Sequence, residues 1–148
     1  MKKLLIILSF ACCLMAAQAQ NANLKKSVED GIKTSIQQTE NREWKEAFAT
    51  CRALDGMIAV EEQKTKQAAP ELHYLVSKER LRMYMRLNNA EQSKLQIAKL
   101  EDFASKAKKD EVSEDLLMTK AGYYQKFGMN DKLSLIHISE PTRRYAIS

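Results

Sequence analysis

Glycine and proline are scarce in this chain of 148 residues, with four of the first and two of the second. A many-stranded β fold needs tight turns built from those residues, so long helices with short links are expected instead. Cysteine and histidine are nearly absent where chemistry would need them. Between residues 20 and 132 there is one of each, Cys51 and His73. A single cysteine closes no intramolecular disulfide, and one cysteine with one histidine makes no metal site. There is no His-Glu-x-x-His helix, no glycine-rich phosphate loop and no nucleophile elbow. His73 has no cysteine or carboxylate motif around it. Carboxylates fall in mixed-charge stretches such as Glu61-Glu62 and Glu114-Asp115, the pattern of a solvated face. The expectation is a non-enzymatic chain with no cofactor and no metal. With 29% charged residues the composition fits neither a disordered tail nor a membrane bundle.

Both ends differ from the middle. Met1-Lys2-Lys3, the apolar run from Leu4 to Ala17 and the small-x-small site Ala17-Gln18-Ala19 read as a secretory signal peptide over residues 1–19. Cys12 and Cys13 raise a lipoprotein alternative, but Ser9 and Phe10 stand where a lipobox needs a leucine-like residue. At the other end the helical pattern stops at Lys132. Leu133 to Arg143 resembles the translation of a transposase-end sequencing adapter, so residues 133–148, with His137, are expected to be an assembly artefact within a truncated domain. Genuine codons for Leu133–Ser148 in DNA amplified from the source would sink that expectation. The nominal charge of +5 falls to +2 once Lys2, Lys3, Arg143, Arg144 and Glu140 are set aside. So small a balance argues against nucleic acid as a partner.

Residues 20–132 read as five helices and a truncated sixth. In the first, about Leu24 to Thr39, Leu24, Val28, Ile32 and Ile36 form an apolar stripe interrupted by Gly31. Asn41-Arg42 is a turn. The second carries Trp44, Ala47, Phe48, Cys51, Leu54, Met57, Ile58 and Val60, and Ala68-Ala69-Pro70 breaks it. Cys51 lies in its apolar stripe as a buried thiol. The third, about Pro70 to Leu87, is apolar around most of its circumference and is expected to be packed on more than one side. Asn88-Asn89 turns into the fourth, about Ala90 to Lys106. The fifth carries Leu116, Leu117, Ala121, Tyr124 and Phe127, with Asp110 or Ser113 as its cap and Gly128 at its end.

Two pairs of segments align. Leu81-x-x-Tyr84-x-x-Leu87-Asn88 matches Ala121-x-x-Tyr124-x-x-Phe127-Gly128 at an offset of 40 residues. Trp44-x-x-Ala47-x-x-x-Cys51-x-x-Leu54 matches Ala90-x-x-Ser93-x-x-x-Ile97-x-x-Leu100 at an offset of 46. Small residues let paired helices approach, an aromatic fills the groove, and Gly or Asn permits a left-handed turn. The pattern resembles a degenerate tetratricopeptide repeat of an exported bacterial protein, whose own period is about 34 residues. The first helix departs from it, with Gly31, Thr34, Ser35 and Gln38 at its packing positions. The fold class expected is all-α, with stacked antiparallel helical hairpins in a tetratricopeptide-like solenoid fragment. Helical periodicity alone also fits a plain antiparallel bundle.

The resemblance implies a protein–protein interaction module that takes a peptide or a protein helix. A basic stripe, Lys78, Arg82 and Arg86, joined by Lys120 and Lys126, would attract an acidic segment, although three charges on a helix also make an ordinary solvated face. The alternative reading is the periplasmic input domain of a membrane-bound signalling or transcriptional regulator, tethered through a missing C-terminal region. Either reading places the chain outside the cytoplasm, most naturally in the periplasm.

Overall fold

The structure is a computed structural model. It describes the backbone of residues 2–129 and 131–132, and the side chains of residues 21–129 and 131–132. The described residues form helices and turns with no strand, as the shortage of glycine and proline predicts. None of the described helices is long and apolar enough to cross a membrane. The chain divides between Leu72 and His73 into two units.

In the first unit, α1 (Lys2–Glu40) and α2 (Trp44–Thr65) form an antiparallel hairpin. Helix α1 begins well before the expected Leu24 because Leu4–Ala17 contains no helix breaker. The expected leader lies in this stretch, outside the residues whose side chains are described. Among the described side chains of α1 the buried ones are Leu24, Val28, Ser35 and Thr39, while Ile32 and Ile36 are only half-buried. This corrects the expected stripe. Four-residue steps drift about 40° around a helix, whereas the seven-residue step from Val28 to Ser35 drifts only about 20°. Gly31 belongs to the same contact. A Cβ there would lie 2.5 Å from Leu54 Cδ2, so glycine is what lets the two helices meet. On α2, Ala47, Cys51, Leu54 and Ile58 form one buried stripe.

The second unit contains α3 (Pro70–Arg86) from His73 onward, α4 (Ala90–Ala107) and α5 (Asp110–Lys126). Its core joins Tyr74, Leu81, Ile97, Leu100, Ala104 and Tyr123. Helix α3 is buried on two opposite faces, Tyr74, Ser77 and Leu81 on one and Val76, Glu79 and Met83 on the other. Its nearly all-round apolar pattern predicts that. On α5 the buried aromatic is Tyr123, whereas Tyr124, the repeat position, is half-buried. Leu116, Tyr124 and Phe127, all expected on this helix, pack against the core from half-buried positions, and Tyr123 is the residue the expected pattern passed over. Apolar residues occupy both adjacent stripes of α5, so periodicity could not choose between them. Nor do Asp110 or Ser113 cap α5. The N-cap is Lys109; Asp110 opens the helix, where its carboxylate suits the dipole, and Ser113 Oγ donates back to the Lys109 carbonyl.

Three helix ends are built alike. After α1, α3 and α5 a left-handed residue follows two positions beyond the helix: Arg42 (φ 64°), Asn88 (φ 56°) and Gly128 (φ 70°). The next N–H donates five residues back in each case, Glu43 to Gln38, Asn89 to Tyr84 and Met129 to Tyr124, at 2.8 to 2.9 Å. These are Schellman closures. Helices α2 and α4 end differently, with Lys66 and Lys108 left-handed immediately after the last turn. Asn89 also caps α4, its Oδ1 accepting from Gln92 N–H at 3.0 Å. Residues 131–132 are again helical, at the expected sixth helix. The tail from Leu133 lies outside the described residues.

Candidate interaction surface

Short links make α4 antiparallel to both α3 and α5, so α3 and α5 run in the same direction within the second unit. Asp115 fixes their register near one end. Its carboxylate accepts from Tyr74 Oη at 2.7 Å and pairs with Lys78 Nζ at 2.5 Å. Burial, and then the hydrogen bond to Asp115 and its charge, hold the Tyr74 phenol well above the usual tyrosine range. The proton therefore stays on Tyr74, which is what lets it donate to the carboxylate.

Along α3 the basic stripe is only partly available. Arg82 pairs with Glu79 through two nitrogens, Nε to Oε2 at 2.8 Å and Nη2 to Oε1 at 2.7 Å. Glu79 is itself buried, with 4% of its side chain exposed. Removing Arg82 would strand a buried carboxylate. Lys78 is held by Asp115, so Arg86 is the fully exposed member of the three. On α5, Met118, 67% exposed, Gly122 and Lys126 lie on one face. Nothing lies within 4 Å of a Cβ built at Gly122. Lys120 points elsewhere and pairs with Glu101 of α4. Burial would depress its pKa, but the hydrogen bond and charge of Glu101, helped by Tyr124, raise it instead.

The expected packing residues divide in the same way between core and margin. Ala47, Cys51, Leu54 and Leu81 are buried; Trp44, Tyr84, Ala121 and Tyr124 are half-buried; Gly128 supplies the left-handed turn. Cys51 Sγ stands 3.7 Å from Ser35 Oγ inside the first hairpin. His73 stacks on Phe103, with centroids 5.2 Å apart and planes 14° from parallel. Among the described residues no group of histidine, cysteine or carboxylate side chains is placed to hold a metal ion.

Sequence reasoning put Asp115 on a solvated face, where the structure has it holding Tyr74 and Lys78, and passed over Glu79. The Glu79–Arg82 pair was legible as an i, i+3 spacing. Asp115 lies 37 residues from Lys78, and no local pattern announces that contact. No family model matches the chain, and neither the curated proteins nor the solved structures give a match.

Proposed function

We propose that the chain is a non-enzymatic protein–protein interaction module of an exported bacterial protein, built from degenerate tetratricopeptide-like hairpins. The observation that carries this reading is a coincidence of register. Ala47, Cys51, Leu54 and Ile58 of α2 have their counterparts 46 residues on in Ser93, Ile97, Leu100 and Ala104 of α4, and all eight are buried. The preceding helices keep the same offset, with Val28 matching Tyr74 and Ser35 matching Leu81. The identical closures at Arg42, Asn88 and Gly128 bracket the repeat. A repeated hairpin is the unit from which solenoid binding surfaces are built.

The surface assigned to the partner is the joint face of α3 and α5. Arg86 and Lys126 supply exposed positive charge, Met118 supplies an apolar contact, and Gly122 leaves room for a close approach. An acidic peptide segment with an apolar residue fits that chemistry. The test is a pull-down from the source organism with Arg86→Glu/Lys126→Glu. These exposed residues can be reversed without disturbing the core, whereas Arg82→Glu would set two carboxylates together at Glu79. Loss of partners captured by the wild type is expected; an unchanged set would remove this face from consideration.

A further inference from the structure

The outer face of α2 is apolar where its counterpart on α4 is charged. Ala49, Ala53, Gly56, Met57 and Val60 lie on it and are all exposed, with Met57 at 44% and Val60 at 50%. Their equivalents 46 residues on are Leu95, Lys99, Asp102, Phe103 and Lys106. Three of those five are charged, and Asp102 and Lys106 pair at 2.6 Å. That is how a solvated helix face is normally furnished. Gly56 sharpens the contrast. Glycine inside a helix costs roughly 0.5–1 kcal/mol relative to alanine. At Gly31 the close approach of Leu54 explains it, but nothing lies within 4 Å of a Cβ built at Gly56. Packing among the described residues gives no reason for glycine there; a second helix crossing at that point does.

We propose that this face is a self-association surface on which α2 of a second copy docks antiparallel. Charge placement selects that occupant and that direction. Glu46 and Lys64 are both exposed and stand 18 residues apart, which is five full turns, so they share one flank of the apolar face. A two-fold axis across the helices near Gly56 sets each Glu46 opposite the partner's Lys64, closing two ion pairs around an apolar centre. The Lys64 side chain is 64% exposed, and its own contact with Glu61 is long at 4.0 Å. The α2 helix is about 33 Å long and about 10 Å wide. The contact is therefore smaller than the roughly 800 Å² per partner of a standard interface, and the dimer is weak and concentration-dependent.

Sedimentation equilibrium of the full chain over a range of concentrations tests this. The mass should rise from 16.9 kDa toward twice that value. Gly56→Glu should leave a monomer at every concentration, with helicity by circular dichroism at least that of the wild type. Glu46→Lys should weaken association by roughly tenfold, as expected for converting two exposed attractive pairs into repulsive ones. Glu46→Lys/Lys64→Glu should recover it. A wild-type chain that stays monomeric at about 1 mM overturns the proposal. So does a dimer that Gly56→Glu leaves intact, or a charge swap that fails to restore association.

Discussion

At residue 51 the first unit buries a thiol, and 46 residues later, at residue 97, the second buries an isoleucine. The same contrast runs through both units. The α1–α2 hairpin closes on Gly31, Ser35, Ala47 and Cys51, and Thr39 Oγ1 donates to the Ser35 carbonyl within it at 2.8 Å. The second unit uses volume instead. Tyr74, Leu81, Leu100 and Tyr123 make its core, with Phe103 and Phe127 against it. The burial register and helix closures recur while the filling changes. Small residues hold helices together by bringing backbones close, and large ones by filling the space between more distant axes.

Six substitutions would break or sharpen this contrast, each read from unfolding of the full chain, by urea or, for Tyr74, by heat. Leu100→Ala should cost the most, about 2–5 kcal/mol, because a fully buried side chain leaves a cavity among large neighbours that cannot collapse. Cys51→Ile tests the other unit by importing the residue found at its register mate. Overpacking beside Ser35 should cost about 1–3 kcal/mol, and a gain in stability would show that the first hairpin is loosely filled.

The turns give a smaller, graded series. Arg42→Gly should stabilise by about 1 kcal/mol, since a non-glycine residue at φ 64° is strained. Asn88→Gly should gain less, because asparagine tolerates that region, and Gly128→Ala should lose about as much as Arg42→Gly gains. Equal effects at all three sites would deny that sequence strain differs among identical closures.

The smallest effect at neutral pH concerns Tyr74. Its folded pKa is raised, so the folded state holds the phenolic proton where the unfolded chain releases it. The contribution is complete below about pH 10, the unfolded value, and falls as the pH rises above it. The slope is at most about 1.4 kcal/mol per pH unit for one group. Melts between pH 9 and 11 should show wild type losing stability more steeply than Tyr74→Phe; parallel slopes would exclude this linkage.

Much of the architecture was legible along the chain. The spacing of Ala47, Cys51 and Leu54, repeated at Ser93, Ile97 and Leu100, identified both the helices and their buried stripes. Asn41-Arg42, Asn88-Asn89 and Gly128 marked all three closures. The misreadings share one cause. On α1 the branched Ile32 and Ile36 were expected in the buried stripe, yet they are half-buried while Ser35 and Thr39 are buried. On α5 the repeat spacing singled out Tyr124, which packs on the core from a half-buried position, and passed over the fully buried Tyr123. The candidate interaction face was the least legible, because Arg82 and Lys78 read as available charge until Glu79 and Asp115 were found holding them.

The sequence by itself determined that the chain is helical, where most helices end, and which positions repeat. Those properties follow from local propensity, turn chemistry and periodicity, all of which act over a few residues. Only the tertiary structure decided which of two neighbouring stripes faces the core, what Gly31 packs against, and which cations are already paired. Each of those depends on an atom from another helix, Leu54 beside Gly31 or Asp115 beside Lys78, and a one-dimensional pattern cannot specify that neighbour.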